Sequence, residues 1–514
     1  MNIITLDLNQ QYQYEVLSSL KKELDIHLDY ASIRRDIYNE GDHKIIQSLQ
    51  NELFKESTIV EYVDTILFAE KIIEKSDIPW SIDGELLKSL ADTELTYLKL
   101  SDRNCSDQIS VHKRRKYFYI LVNHFNSILK TKNIDCAILF ETPHTINTNI
   151  FYELILKKGI PVIKIEHHQL TEHLMVVNSD INPMLPEGYL ETKSKNEIWD
   201  SLDDTIKESY KASNTFTQMY INNDKKHIIK ANFLSYVSIE LKFLRKFIAN
   251  MARGLFPFLF KKGLQDYNAL SGTQSPFAFR MSIIPALRKL VTLQSYYMKI
   301  SKEVDINEKF IYIGLHMQPE KTSQPLGMYF DHHFLAIKIL ADALPEGWKL
   351  YVKEHPNQFN SVKIPNNNYR DKYFYNAVSN LKNVVWVSLE QNSQQLIDLS
   401  QIVATLTGTM GWEALQKGIP VIAFGNSFYS ACLAVRRPMD LDQCKESINY
   451  LSSLSKDDIE KEVYRYLHYY NSQKNLVKAS NSELRFQYSN TPRETQIRLI
   501  SESIMFNLSK INNT

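Results

Sequence analysis

An acid and an imidazole, Glu354 and His355, close an apolar run in "KLYVKEHP" (349–356). The run reads as a buried strand, and Pro356 stops it while biasing His355 towards extended backbone. In open parallel α/β sheets ligands bind outside the carboxyl ends of the strands, so an imidazole there is placed to donate to a phosphate or nucleotide oxygen. A loop histidine bonded to backbone is the competing reading. Lys353 immediately precedes the pair and counts with it among the candidate ligand-binding groups.

Three further stretches have the same character. In "TLTGTMGWEALQKGIPVIAFG" (405–425) a strand ends at Thr407, a turn of small residues runs through Gly408, Thr409 and Gly411, and a helix starts near Met410. The first N–H groups of that helix and the Thr407 and Thr409 hydroxyls suit a phosphate, while Glu413, one turn in, suits ribose hydroxyls. In "GLHMQPEKTSQPLG" (314–327) His316, Gln318, Glu320, Thr322 and Ser323 crowd a strand exit that Pro319 and Pro325 keep from becoming helix. Ligand loop and plain polar connection are both open there. In "LFETPHTINTN" (139–149) Glu141 stands at a strand end and His144 just beyond Pro143. A carboxylate so placed can deprotonate an acceptor hydroxyl, or be a hydrogen-bonded structural group.

The elements that must position these residues are short β-rich runs, each followed by a polar break and a helical segment. They are "CAILFE" (136–141), "PVIKIEHH" (161–168), "FIYIGLHM" (310–317), "KLYVKEH" (349–355), "VVWVSL" (384–389), "IVATLTG" (402–408) and "PVIAFG" (420–425), with "MNIITLDL" as a first strand. Continuous apolar strands alternating with helices predict parallel sheets covered on both faces. An echo, "LKKGIPVI" (156–163) and "LQKGIPVI" (415–422), repeats a helix end, a glycine cap and a proline leading into a strand. Two Rossmann-like halves follow from it, and 514 residues exceed what one core usually holds.

The expected boundaries are 1–195, a helix-rich segment 196–305, 306–440, and a helical tail 441–514 in which "NTPRETQIRLISESIMF" forms the terminal helix with Pro492 in its first turn. Within the middle segment, residues 242–263 are basic and amphipathic, which suits either an anionic membrane surface or a helix packed on the core.

Composition narrows the function. The 60 basic and 59 acidic residues leave a net charge of +1, which argues against a nucleic-acid binder. Four separated cysteines, Cys105, Cys136, Cys432 and Cys444, form no CxxC pair. "EHHQLTEH" (166–173) and "DHH" (331–333) lack the spacing of a zinc site, so no metal is expected. No GxSxG or GxxxxGK[ST] motif is present. The start of the chain shows no signal-peptide pattern, and no apolar run is long enough to span a bilayer, so a cytoplasmic protein is expected, at most peripheral on the inner membrane.

Taken together, "HMQPEKTSQPLG", "VKEHP", "YRDKYFY" with Arg370 and Tyr375, and "TGTMGWEALQKGIPVIAFGNSFY" resemble the bacterial capsule polysaccharide biosynthesis glycosyltransferases. These are related to transferases of 3-deoxy-manno-octulosonic acid (Kdo) and of nonulosonic acids. The likeness covers 310–430 well and 134–165 weakly. It implies a GT-B fold, two Rossmann-like domains facing a cleft with the nucleotide on the carboxyl-terminal one. It makes His355 and Pro356 a CMP grip, Thr407, Gly408 and Thr409 phosphate contacts, Glu413 a ribose or base contact, and Gln318 and Arg370 further donor-side groups. Members often carry an aspartate after the "PH" pair, where this chain has "PHTINTN"; Glu141, ahead of His144 and Glu320, is then the candidate catalytic group.

The expectation is a glycosyltransferase without metal or cofactor, taking a CMP-linked ulosonic acid to a saccharide or glycolipid acceptor. A UDP-sugar transferase or 2-epimerase on the same fold, and a nucleotide-sugar-binding scaffold, are the alternatives.

Overall fold

The computed structural model describes residues 1–34, 43–55, 57–62, 79–104, 110–167, 174–178, 193–204, 206–208, 210–211, 276–305, 307–318, 320, 322–360, 369–472, 476–480 and 491–512, with single positions 237, 241 and 245. The basic stretch 242–263 therefore lies outside the described residues, apart from position 245. No helix among the described residues is long and apolar enough to cross a membrane.

All eight runs read as strands form strands: β1 (Asn2–Leu8), β4 (Cys136–Leu139), β5 (Val162–His167), β7 (Phe310–Gly314), β8 (Lys349–Lys353), β9 (Val384–Trp386), β10 (Ile402–Thr405) and β11 (Val421–Ala423). Five more join them: β2 (His27–Arg34), β3 (Thr58–Tyr62), β6 (Leu174–Asn178), β12 (Val435–Arg436) and β13 (Leu476–Val477). The amino-terminal sheet has the order β13-β6-β5-β4-β1-β2-β3, parallel except at β6, which runs antiparallel to both β5 and β13. The carboxyl-terminal sheet has the order β12-β11-β10-β7-β8-β9 and is parallel throughout.

Read from their first strands, the two sheets are the same construction. Each grows outward through its second and third strands, then crosses back to place the fourth beside the first. That reversal is the switch point of a doubly wound Rossmann-like fold, the place outside the carboxyl ends of the strands where such folds bind ligands. The repeated "KGIPVI" falls at equivalent places in the two units. The helix Ile146–Lys157 ends before Gly159 (φ 69°) and leads to β5, and the helix Thr409–Gln416 ends before Gly418 (φ 76°) and leads to β11. Both glycines occupy the left-handed region that side chains disfavour, and both close their helices with an N–H to a carbonyl three residues back, at 3.0 Å.

Burial follows the pleat. In β1, Ile3 and Leu8 face one core layer with the helices Gln11–Glu23 and Arg493–Asn512, while Ile4 and Leu6 face the other with the helices Ala91–Asn104, Val111–Thr131 and Ile146–Lys157. In the second sheet Ile311, Ile313, Leu350, Val352, Ile402 and Ala404 face one shared layer. Successive side chains point to opposite faces, so a sheet covered on both sides needs apolar residues at every position.

The chain divides into two compact units. The described residues of 1–181 and 473–514 form one unit, and those between 182 and 472 form the other. The described residues of 196–305 fall in the second unit, and the tail 441–514 is divided between the two at residue 472. The helix Pro276–Ile300 joins the carboxyl-terminal unit because Tyr297 packs its ring against Phe359, Tyr375 and Trp386 and donates its hydroxyl to the Val387 carbonyl at 2.6 Å. The terminal helix Arg493–Asn512, which starts just after Pro492, belongs to the amino-terminal unit, where Arg493 meets Glu15 at 2.9 Å.

Candidate functional site

In the carboxyl-terminal unit the switch point lies between β7 and β10, and the loops leaving them touch. His316, two residues past β7, receives the Thr407 backbone N–H on Nε2 at 3.2 Å, and the same nitrogen is 3.1 Å from the Thr405 hydroxyl. A backbone N–H can only donate, so Nε2 is the acceptor and the ring proton sits on Nδ1. Burial, with the nearby His355 and Arg370 charges, lowers the His316 pKa to about 3, so the ring is neutral at ordinary pH. His316 was one of several polar residues in its loop, and the same strand-end rule that picked out His355 finds it.

The loop leaving β10 forms a turn poised over the next helix. Gly408 donates its N–H to the Thr405 hydroxyl at 3.1 Å and caps the helix Thr409–Gln416 without a side chain. Its carbonyl accepts from the Tyr429 hydroxyl at 2.5 Å. The Thr407 hydroxyl is committed to the Thr322 carbonyl at 2.9 Å, whereas Thr409 is exposed at the first helical position. The helix therefore begins with N–H groups that no side chain caps, next to a neutral imidazole, an arrangement that suits an anion.

Tyr429 reaches Gly408 only because residue 411 is glycine: a Cβ there would lie 2.3 Å from the Tyr429 hydroxyl oxygen. Gly411→Ala should displace the ring and destabilise this unit by about 1–3 kcal/mol. Urea unfolding followed by tryptophan emission checks this, and an unchanged midpoint would remove Tyr429 as a support of the turn.

His355 begins the short helix Pro356–Phe359 as its cap, accepting the Asn357 N–H on Nδ1 at 3.1 Å. Its Nε2 then carries the proton, and the residue is half-buried.

The neighbouring candidates turn inward. Glu354 is 1% exposed and accepts from Arg370 Nε at 2.6 Å, the Tyr375 hydroxyl at 3.0 Å and the His355 N–H at 3.0 Å. Arg370, also 1% exposed, further reaches Gln318 Oε1 at 2.5 Å and His333 Nδ1 at 2.7 Å, and lies over the Phe374 ring. Lys353 donates to the Gln391 carbonyl and, at 3.0 Å, to the Ser393 hydroxyl. Glu413 is buried and accepts from the Gln394 amide. A strand alternates its side chains, so of two adjacent polar residues at a strand end one is carried into the sheet's covering layer. There Glu354 requires a cation, and Arg370 supplies it from a separate loop. Glu320 lies in the loop after β7, where its carbonyl receives the Ser323 and Gln324 N–H groups.

Glu141 and His144 belong to the amino-terminal unit, just past β4. His144 Nδ1 is 3.2 Å from the Thr142 carbonyl and 3.7 Å from the Glu141 carboxylate.

The two sheets define a protein of two Rossmann-like α/β units. Residues 332–437 match the family described as capsule polysaccharide biosynthesis protein, overlapping the stretch where the motif resemblance is strongest. No curated protein sequence matches the chain. Among solved structures, it is similar to the UDP-GlcNAc 2-epimerase from Neisseria meningitidis bound to UDP-GlcNAc, at 14% identity and TM-score 0.22, covering 99% of this chain and 100% of that one. It is also similar to the KpsC β Kdo 2,7 transferase of Thermosulfurimonas dismutans, at 11% identity and TM-score 0.25, covering 66% of this chain and 87% of that one. The fold assignment rests on the two sheet orders.

Proposed function

We propose that this protein is a glycosyltransferase that moves an ulosonic acid, Kdo or a nonulosonic acid, from a CMP-linked donor to a growing capsular polysaccharide, lipopolysaccharide or glycolipid. The observation that carries the nucleotide-sugar reading is the pairing of His316 with the Thr407 N–H across the switch point, beside a helix start that no side chain caps. The CMP preference rests on the resemblance of the "HP" pair and its surroundings.

In this reading the Nε2–H of His355 and the first N–H groups of the helix Thr409–Gln416 hold the donor phosphate, with the Thr409 hydroxyl beside them. Gln318, Glu354 and Arg370 position the His355 turn from below without touching the nucleotide. As the bond between the anomeric carbon and the phosphate oxygen breaks, the electron pair leaves with CMP, and the acceptor oxygen bonds to that carbon. The hydroxyl proton passes to Glu141 or His144, and fixed N–H groups stabilise the charge on the departing phosphate. Contact of residues 242–263 with an anionic membrane belongs to the same proposal.

Calorimetric titration with CMP, UDP, GDP and ADP, without added metal, tests it. CMP should bind selectively, and His355→Ala should weaken it by about 1–3 kcal/mol. Selective UDP binding would replace the CMP donor by a UDP-sugar, and binding of none would leave a scaffold. An unchanged CMP affinity in the folded variant would remove His355 from the site.

A further inference from the structure

We propose that Arg437 recognises the carboxylate of the transferred sugar, as a second anion site beside the place of the donor phosphate. The inference rests on the reading of the donor as a CMP-linked ulosonic acid. Such a donor carries two anionic groups on one carbon, the phosphate and the carboxylate both being attached to the anomeric centre.

Arg437 leaves the sheet on the edge where ligands bind. β12 runs parallel to β11 with Arg436 opposite Ile422, and β11 runs parallel to β10 with Ala423 opposite Thr405. The first residue past β12 is therefore level with the exit that turns through Thr407 to Thr409, two strands or roughly 10 Å away. The loop leaving β7 crosses that interval. Its Leu326 carbonyl accepts the Asn426 N–H at 3.1 Å just past β11, and its Met328 Sδ accepts from Arg437 Nη2 at 3.7 Å just past β12. Glycines let these backbones close on one another, since a Cβ on Gly425 would stand 2.6 Å from Thr407 Cγ2 and 3.2 Å from Gly327 Cα. Through Met328 and Gly327, Arg437 is tied to the loops that hold Thr407. Met328 and Tyr329 are 43% and 61% exposed, so this rim opens to solvent.

The guanidinium lacks the counter-charge that its surroundings call for. Arg436 lies over the Tyr450 ring at 3.9 Å, and strand alternation sends Arg437 the other way. Arg437 is half-buried, its Nε is buried without a hydrogen bond, and a thioether is a weak acceptor for its Nη2. Burial lowers its pKa, and no carboxylate among the described residues pairs with it to offset that. Other sheltered arginines have their acids: Arg370 meets Glu354 and Arg465 meets Glu462, both at 2.6 Å, and Arg493 meets Glu15 at 2.9 Å. A cation drawn out of water with nothing opposite it is costly, and a bound anion removes that cost.

A carboxylate fits better than a second contact to the phosphate. The planar fork of guanidinium N–H groups matches two carboxylate oxygens at once, whereas the phosphate already has the uncapped start of the helix Thr409–Gln416. A neutral hexose would leave the arginine unpaired, which makes it a specificity-determining residue.

Calorimetric titration of the full chain with CMP, CMP-N-acetylneuraminic acid and CMP-Kdo tests the assignment. At least one CMP-sugar should bind the wild type more tightly than CMP does. Arg437→Gln should weaken that CMP-sugar about tenfold to a hundredfold and leave CMP, which has no carboxylate, as it was. Arg437→Lys should recover only part, because an ammonium cannot present paired donors. Without nucleotide, the melting temperature of Arg437→Gln should be unchanged or raised, since an unpaired charge is removed. Equal losses for CMP and the CMP-sugar would make the guanidinium a phosphate ligand, and a lowered melting temperature would make it a support of the loop. Either result overturns the proposal, as would CMP-sugars that bind no better than CMP or that Arg437→Gln holds as the wild type does; all of these leave the donor reading standing. A wild-type chain that binds UDP alone, or no nucleotide, defeats the donor reading and this assignment with it.

Discussion

Replacing Arg370 by methionine should destabilise the carboxyl-terminal unit by about 3–5 kcal/mol, because it strands the Glu354 carboxylate in the interior. Glu354 is 1% exposed and makes its strongest contact with Arg370 Nε at 2.6 Å. The Tyr375 hydroxyl and the His355 N–H would remain to it, too little for a buried charge. Arg370→Lys should recover little, since one ammonium cannot reach Glu354, Gln318 and His333 as the planar guanidinium does. The double variant Glu354→Gln with Arg370→Met should be less destabilised than the two single variants added together, because neither charge is then left alone.

Urea unfolding with fluorescence detection suits the measurement. Of the five tryptophans, Trp199, Trp348, Trp386 and Trp412 lie in this unit, and Trp80 alone lies in the other. The outcome separates support from contact. An Arg370→Met protein that unfolds at the wild-type midpoint yet no longer binds CMP would make the guanidinium a ligand group and defeat the positioning role.

Acid should destabilise the same unit well before its carboxylates titrate. Burial lowers the His316 pKa to about 3, and burial together with the Arg370 charge lowers that of His333 well below its usual value. Geometry agrees with the direction for both, since each ring accepts on one nitrogen from a group that can only donate, the Thr407 N–H for His316 and the guanidinium for His333. The folded state thus keeps both rings neutral while the unfolded chain protonates them near the ordinary histidine value.

Below about pH 6.5 the unfolded state binds more protons, so stability is full above that pH and falls as pH drops. The His316 ring contributes about 1.4 kcal/mol per pH unit across its window, which extends down to a pKa of about 3. His316 alone should remove about 2–3 kcal/mol between pH 6.5 and 4.5, and His333 acts in the same direction. His316→Asn keeps an acceptor for the Thr407 N–H and should reduce the slope by one proton. A wild-type stability that stays level over this range, or a slope that His316→Asn leaves unchanged, would show that these rings are not held neutral. Because His316 stays neutral, CMP affinity should gain nothing from its protonation above pH 4.5, and any acid-side gain must come from another group.

The order of elements was open to reading from the chain itself. Continuous apolar runs such as "FIYIG" and "IVAT" can lie only in sheets buried on both faces, and the repeated "KGIPVI" marked the same helix-to-strand junction in each unit because only glycine takes its backbone angles cheaply. The strand exits at His355 and at Thr407 to Thr409 were legible for the same local reason, a polar turn following an apolar strand. β2 and β3 were missed, since polar residues punctuate "HLDYASIR" and "TIVEY" as they would a loop.

What local pattern could not show was the direction of charge. Glu354 and His355 are adjacent, yet one is buried and the other half-exposed, and the reason is Arg370, sixteen residues away on another segment. Asp7 meets Thr148 across 141 residues of chain, so neither announces the other. Local sequence determines where a strand ends and what can bond there. Only the packed fold decides which polar group already has its partner inside the protein and which is left to find one in a ligand, because that depends on contacts made by residues remote in the chain.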